Sequence, residues 1–228
     1  MKIFAFICTR DQDLSETTKK LVSYLSSCNI ETKLLPGSKS IFSGYARALA
    51  HANPEDDDII ILCHDDIEIL SNKTSFGEAL SSKLSDPKIG FVGVAGTKKL
   101  TQDAIWWDHN IWRQGKHSGF VLHGNSLKTS QDNFYGPYGK VVVLDGLFLA
   151  AKAKLLKEIG LEKPEYLKGD WDFYDLHYTY TAYLKGYNNY TVPIFLLHNS
   201  FGELAGRDAW HDSRERFTKE HNLPTEIK

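Results

Sequence analysis

Short apolar runs alternate with helix-like segments through the first third of the chain, and this alternation constrains the fold more than any other feature. The runs at residues 3–8 and 30–35 predict strands, and the continuous run Ile59–Cys63 is typical of a strand buried on both faces. Residues 14–25 place apolar side chains on one helical face, and residues 43–53 predict a second helix. The order β-α-β-α-β predicts a parallel sheet with helices on its faces and right-handed crossovers.

The rest of the chain carries shorter signals. They predict strands at residues 89–95, 141–144 and 190–197 and helices at residues 151–159, 174–184 and 208–221. Residues 97–139 are rich in glycine, asparagine, histidine and aromatic residues without sustained periodicity, so we expect a long functional loop there. Because no repeat, low-complexity tract or linker interrupts the chain, we expect one domain over residues 1–228.

Charge and cysteine content exclude several classes of protein. The 27 lysine and arginine residues against 29 aspartate and glutamate residues give a net charge of −2, which argues against a nucleic-acid binder. The three cysteines are an odd number without a CxxC pair, which excludes a disulfide framework and a zinc ribbon. No transmembrane segment and no signal peptide are predicted, so we expect a cytoplasmic location.

The turn after the first strand lacks two common phosphate-binding motifs. It contains Thr9 and Arg10 but no glycine, so the GxGxxG fingerprint is missing, and no P-loop sequence occurs elsewhere. Nucleotide phosphates would therefore need a metal ion and basic side chains for neutralisation, and Arg10 and Arg47 are candidates. Arg47 taken by itself also fits a solvated helix position.

The strongest local signal is the triplet His64, Asp65 and Asp66 directly after the run Ile59–Cys63. Polar residues at the carboxyl end of a parallel strand project into the ligand crevice. Two adjacent carboxylates repel each other, and a divalent cation such as Mg²⁺ or Mn²⁺, bound partly by substrate phosphates, would offset that repulsion. A solvated acidic turn is the alternative.

Three later positions add candidate groups. Asp145 and Gly146 follow a predicted strand, where the aspartate could orient hydroxyl groups or simply form a turn. Asp175 belongs to a group of aspartates at a predicted helix start, where the helix dipole already favours negative charge. His198 follows a predicted strand and could be a ligand or a histidine satisfied by hydrogen bonds.

Taken in chain order, these pieces resemble the glycosyltransferase family 2-like enzymes with the GT-A fold, over nearly the whole chain. The family pattern has a nucleotide-binding βαβαβ half, a DxD-type motif after an apolar strand, a glycine-containing turn, a late helix that starts with aspartate, and a final histidine. Residues 144–150 and 173–177, followed by Gly186 and Tyr187, are especially similar. His64 stands where the family has the first aspartate of DxD.

The resemblance implies a fold and a separate role for each half of the chain. The fold would be α/β, a GT-A (Rossmann-like) single domain with a mostly parallel central sheet flanked by helices. Residues 1–95 would form the half that binds the nucleotide sugar, and residues 96–228 the half that binds the acceptor and carries catalysis.

The resemblance also implies roles for individual residues. Asp66 would hold the metal with His198 as a second ligand, and Asp175 would be the general base. The donor would be held by the uridine contacts Thr9 and Arg10, by Arg47 near the diphosphate, by Asp65 at the ribose or sugar, and by His64. Asp145 and Gly146 would lie on the acceptor side.

Trp106 and Trp107 are candidates for acceptor binding because apolar faces of sugars stack on aromatic rings. Adjacent residues in an extended loop cannot both face the same core, which favours this pair over the other aromatic residues of the loop. The alternative is a small satellite core filled by these rings.

The implied activity is transfer of a sugar, with inversion, from a nucleotide-sugar donor, most simply a UDP-sugar, to a saccharide or other hydroxyl acceptor, with Mn²⁺ or Mg²⁺ as cofactor. This is hexosyltransferase chemistry. One alternative is a sugar-phosphate nucleotidylyltransferase, which normally needs a glycine-rich basic loop that this chain lacks. A non-catalytic carbohydrate-binding protein on the same fold is another alternative.

Overall fold

The structure is a computed structural model that describes residues 1–200 and 208–227. Its strands, numbered in chain order, are β1 Ile3–Cys8, β2 Glu31–Leu35, β3 Ile59–Cys63, β4 Ile67–Ile69, β5 Ile89–Gly93, β6 Ala95–Thr97, β7 Lys99–Leu100, β8 His117–His123, β9 Gln131–Gly136, β10 Lys140–Val141, β11 Val143–Leu144, β12 Phe148–Lys152, β13 Asn188–Thr191, β14 Leu196–His198 and β15 Thr225–Glu226. Its helices are α1 Glu16–Ser27, α2 Ile41–Ala52, α3 Lys73–Leu84, α4 His109–Arg113, α5 Ala153–Ile159, α6 Tyr174–Leu184 and α7 Asp208–Glu220.

The main sheet confirms the predicted α/β architecture. Its seven strands lie in the order β10-β13-β5-β12-β3-β1-β2. β1 pairs in parallel with β2 and β3, as the βαβαβ pattern predicts, and β13 pairs in parallel with β5. β12 and β10 run against the other strands. The sheet is therefore mostly parallel, with β12 as an antiparallel strand in its middle.

The prediction of a helix over residues 151–159 was wrong at its start. The strand β12 continues through Lys152, and α5 begins only at Ala153. All four residues Phe148–Ala151 are fully buried between β3 and β5. Burial between two neighbouring strands therefore outweighs the helix propensity of the two alanines.

Residues 97–139 do not form the long irregular loop that the composition predicts. They contain the helix α4 and the antiparallel hairpin β8–β9, which belongs to a second sheet in the order β11-β6-β8-β14-β4. Gly119 lies at a shift in the hairpin register with φ of +110°, in the region that favours glycine. This irregularity interrupts the alternation by which a hairpin is recognised in a sequence.

The single strand predicted for residues 190–197 is two strands in different sheets. β13 ends at Thr191 in the main sheet, and β14 begins at Leu196 in the second. Pro193 lies between them, and proline has no N–H to donate to a strand partner. The break carries the chain from one sheet to the other.

Two strand ends from different sheets meet at one point. The segment after β3 continues into β4, which pairs antiparallel with β14 so that Ile67 faces His198. The amide of Asn199 donates to the carbonyl of Asp66 at 2.8 Å. The pairing of β4 with β14 therefore places His198 beside the triplet that follows β3.

None of the helices within the described ranges has the length and apolar character needed to cross a lipid bilayer.

Candidate active site

A cavity of about 600 Å³ opens where β1 and β3 end. Its walls include eleven of the twelve residues that the sequence analysis singles out: Thr9, Arg10, His64, Asp65, Asp66, Trp106, Trp107, Asp145, Gly146, Asp175 and His198. Arg47 is exposed on α2, and its Nε donates to the Ser43 carbonyl of the same helix at 3.3 Å. The structure therefore brings all the predicted site residues except Arg47 to one cavity.

His64, Asp66 and His198 form a group whose potential ligand atoms all lie within 4.8 Å of one another. Nε2 of His198 lies 3.3 Å from Oδ2 of Asp66, and Nδ1 of His64 lies 3.7 Å from Oδ1 of the same carboxylate. Oδ1 of Asp66 is buried and has no hydrogen-bond partner among the described residues. A carboxylate that faces two imidazoles, one at each oxygen, and has one buried oxygen of this kind fits a bound divalent cation.

The protonation of this group follows from burial and mutual attraction. Burial alone would raise the pKa of Asp66, but its hydrogen bond with His198 and the nearby His64 lower that pKa to about 2. Burial opposes the charged form of His198, yet the hydrogen bond to Asp66 raises its pKa above the ordinary value. Burial lowers the pKa of His64. Asp66 is thus a carboxylate at neutral pH, which is the form that binds a metal.

Asp175 lies in the first turn of α6, on the cavity wall. Burial and the neighbouring Asp145 raise its pKa to about 7, although the backbone N–H groups of Leu176 and Gly146 favour the charged form. The Gly146 amide donates to Oδ2 of Asp175 at 3.0 Å. A carboxyl with a pKa near neutrality can take up or release a proton at physiological pH.

The chain enters α6 through an unusual backbone conformation. Phe173 has φ of +62°, which a non-glycine residue adopts at a cost of about 1–3 kcal/mol. Its buried ring packs between Trp210 and Phe217 of α7. Strained residues of this kind often lie at functional sites, and this one lies two positions before Asp175.

The turn after β1 forms another part of the cavity wall. Thr9 is buried, and its backbone bonds to Leu35 and Ser38 hold the turn on β2 and the residues that follow it. The guanidinium of Arg10 lies over the Trp171 ring, 4.4 Å from its centroid. Asp65, two residues after the end of β3, also lines the cavity, and its carbonyl accepts from the Thr18 hydroxyl. This wall offers a planar cation and an aromatic surface to a ligand.

The adjacent tryptophans occupy different environments, as expected. Trp106 is buried against Tyr135 and His117, whereas Trp107 is 37% exposed and contacts the Trp210 ring at 5.8 Å between centroids. Both line the cavity. Trp106 thus also fills the small core that the alternative interpretation describes, whereas Trp107 presents its ring to the cavity.

Three further residues at the site were not singled out from the sequence. The Tyr174 hydroxyl forms a hydrogen bond with Nε2 of His64 at 2.7 Å. Trp210 lines the cavity, and its ring contacts the Trp107 ring. Nδ1 of His123 lies 3.3 Å from Nδ1 of His198. The position of Tyr174 next to Asp175 was an available signal, but His123 depends on the parallel pairing of β8 with β14, which the sequence does not reveal.

Comparisons with known proteins agree with this architecture. Residues 5–220 match a family model described as "Glycosyltransferase like family". No curated protein matches the sequence.

Two solved structures have a similar fold at low sequence identity. "A197 from STIV" aligns with a TM-score of 0.50 and 12% identity over 84% of this chain and 81% of that chain. "GalNAc-T7 with UDP, GalNAc and Mn2+" aligns with a TM-score of 0.56 and 10% identity over 96% of this chain but only 48% of that chain. Together with the family match over nearly the whole sequence, the fold identifies this chain as a member of the glycosyltransferase-like family with a GT-A type architecture.

Proposed function

We propose that this protein is a metal-dependent, inverting glycosyltransferase that moves a sugar from a nucleotide-sugar donor, a UDP-sugar, to a saccharide or other hydroxyl acceptor. One observation carries the proposal. A carboxyl group with a pKa of about 7, Asp175, shares one cavity with the His64, Asp66 and His198 group. Sugar transfer needs both elements, because a proton must leave the acceptor while negative charge builds on the departing diphosphate.

The metal would be held by His64, Asp66 and His198. When bound there, a divalent cation would neutralise the diphosphate oxygens that gain charge as the anomeric bond breaks. Two imidazoles and one carboxylate suit Mn²⁺ better than Mg²⁺, which prefers oxygen ligands. The fold likeness to GalNAc-T7, whose structure contains UDP and Mn²⁺, supports the same classes of nucleotide and metal.

Asp175 would act as the general base. Its carboxylate accepts the proton of the acceptor hydroxyl during attack, a role that typically contributes 10²- to 10⁴-fold to the rate. The Gly146 amide fixes the orientation of the carboxylate, and burial together with Asp145 keeps the pKa of Asp175 high enough for proton uptake. Attack from the face opposite the leaving nucleotide inverts the anomeric centre.

The donor and the acceptor would occupy opposite parts of the cavity. Thr9, Arg10 and Asp65, in the half formed by residues 1–95, would contact the nucleotide. Trp106 and Trp107, in the half formed by residues 96–228, would stack on the acceptor sugar, with Asp145 and Gly146 between them and the donor. The exposed ring of Trp107 and the Arg10–Trp171 contact beside the turn after β1 support this assignment.

The test is a donor-turnover assay with UDP-sugars in the presence of Mn²⁺ and a set of hydroxyl acceptors. We expect release of UDP that depends on Mn²⁺ and rises when the acceptor is supplied, with a product of inverted anomeric configuration by NMR. Nucleotide binding without any turnover would instead indicate a binding protein. Release of pyrophosphate from a nucleoside triphosphate and a sugar phosphate would instead indicate a nucleotidylyltransferase.

A further inference from the structure

Tyr174 links the candidate metal group to the turn that holds the candidate base. Its side chain is buried, and its hydroxyl lies 2.7 Å from Nε2 of His64 and 2.9 Å from the carbonyl oxygen of Gly146. A phenol has one hydrogen to donate, so it can donate to only one of these two neighbours.

The donors available to each neighbour determine which of them receives the hydrogen of Tyr174. The carbonyl of Gly146 can only accept, and Tyr174 is its one donor among the described residues. If Tyr174 donated to His64, this carbonyl would be left without a donor beside the buried phenol, which folded proteins avoid. Tyr174 therefore donates to Gly146, and Nε2–H of His64 donates to Tyr174.

This arrangement leaves the other nitrogen of His64 with a lone pair. Nδ1 lies 3.7 Å from Oδ1 of Asp66, the buried oxygen for which residues 1–200 and 208–227 supply no hydrogen-bond partner. Two electron-pair donors at this distance repel each other unless a cation lies between them. The hydrogen bond of Tyr174 thus directs Nδ1 of His64 to the place where Asp66 also offers a free oxygen.

We propose that Tyr174 is a positioning residue that holds His64 in the tautomer with its proton on Nε2, so that Nδ1 is free to bind the metal ion. The inference rests on the proposed function, because it takes a metal at this group as given. Residues that orient a metal-bound histidine through its second nitrogen typically contribute 10- to 100-fold to metal affinity.

Gly146 belongs to the same hydrogen-bonded arrangement as Tyr174 and His64. A Cβ at this position would overlap the Tyr174 hydroxyl and lie 2.9 Å from the Cβ of Asp175. The carbonyl of Gly146 accepts from Tyr174, which in turn contacts the His64 imidazole, while the Gly146 amide donates to Asp175. One residue therefore orients both Tyr174 and the candidate base. Glycine is required here because it leaves room for both side chains.

The first experiment needs no variant of Tyr174. The ¹⁵N chemical shifts of the His64 ring in the chelator-treated protein report which nitrogen is protonated, and the His64 signals are assigned by their loss in His64→Asn. We expect a proton on Nε2 and none on Nδ1. A proton on Nδ1 would overturn the inference, whether or not the protein binds metal.

The second experiment compares Tyr174→Phe with Tyr178→Phe by calorimetric titration with Mn²⁺. Tyr178 is a matched control, because its buried hydroxyl donates to the Leu161 carbonyl and its ring contacts Tyr174, but it does not bond to His64. We expect Tyr174→Phe to weaken Mn²⁺ binding 10- to 100-fold and to move the His64 proton to Nδ1, facing Asp66. Tyr178→Phe should change neither quantity.

The outcomes separate this inference from the proposed function. If the unmodified protein binds no Mn²⁺, the proposed function fails, and the ring shifts still report the tautomer. If the protein binds Mn²⁺ and Tyr174→Phe leaves both the affinity and the tautomer unchanged, Tyr174 does not position His64. If Tyr174→Phe does not fold, the ¹⁵N shifts of the His64 ring in the unmodified protein still test the inference, because a proton on Nδ1 would overturn it.

Discussion

Nε2 of His198 lies 3.3 Å from Oδ2 of Asp66, although the two residues belong to segments of different sheets. Asp66 follows β3 of the main sheet, and His198 ends β14 of the second sheet. Because β4 joins the two by pairing with β14, the contact depends on the whole fold.

We expect Asp66→Asn to reduce Mn²⁺ affinity by more than the 10- to 100-fold typical of losing a supporting residue, because it removes a charged ligand itself. Calorimetric titration with Mn²⁺ measures the change. Asp65→Asn is the matched control, since Asp65 is adjacent in sequence and lies outside the His64, Asp66 and His198 group. An Asp66→Asn protein with unaltered affinity would show that the metal binds elsewhere or not at all.

Asp175→Asn should spare donor binding and cut sugar transfer by about a hundredfold or more, because the amide cannot accept the acceptor's proton. Steady-state assays of transfer, together with nucleotide titrations, separate the two effects. Asp170→Asn serves as a control, because Asp170 lies in the same segment and pairs with Lys163. Equal loss of binding and of transfer in Asp175→Asn would assign Asp175 a structural role.

The pH dependence of transfer should follow the pKa of Asp175. The base acts in its ionised form, and burial together with Asp145 raises its pKa to about 7. Transfer should therefore rise as pH increases through about 7 and then level off. The measurement is kcat/KM against pH, which reports the ionisations of the free enzyme, and a profile that is already flat between pH 5 and 8 would contradict the assignment.

The raised pKa of Asp175 also predicts how the stability of the fold depends on pH. Its contribution to stability should fall as pH rises, whereas transfer should increase. The folded state holds the Asp175 proton more tightly than the unfolded chain, where the pKa is near 3.8. The stabilising contribution is therefore full below pH 3.8 and is lost as pH rises towards 7. Denaturant titrations at several pH values should show Asp175→Asn gaining stability relative to the unmodified protein over this range, and a constant difference would contradict the raised pKa.

Trp107→Ala should raise the KM for the acceptor several-fold and leave nucleotide affinity unchanged, because it removes an exposed ring from the cavity wall. Trp112→Ala is the control, since Trp112 is an exposed tryptophan on α4 outside the cavity lining. If the two variants have the same acceptor dependence, Trp107 does not bind the acceptor.

The part of the fold that the sequence predicts is the part governed by local patterns. β1, β3 and the helices between them follow from continuous apolar runs and one-sided helical faces. β12 was missed because its residues lead directly into α5 and because nothing local signals an antiparallel strand between β3 and β5. Placement within a sheet is a property of distant pairing, which periodicity does not report.

The candidate site shows the same division. His64, Asp65 and Asp66 could be found because they follow a buried run, where side chains project from the sheet edge. The contacts of Tyr174 with His64 and of His123 with His198 could not be predicted, since they join segments far apart in the chain. Arg47 was predicted near the diphosphate, and the structure places it on the exposed side of α2 instead of at the cavity wall.

The most direct test of the central claim is a thermal-shift panel of UDP, GDP, CDP and dTDP, each with Mn²⁺, with Mg²⁺ and with a chelator. A ligand at 100 times its dissociation constant stabilises the folded state by about 2.7 kcal/mol, which is roughly 5 to 11 °C in Tm for a domain of this size. We predict such a shift for UDP with Mn²⁺ and its disappearance with chelator or in Asp66→Asn. A UDP shift of the same size with chelator, or no shift with any nucleotide, would contradict a metal-dependent nucleotide-sugar site.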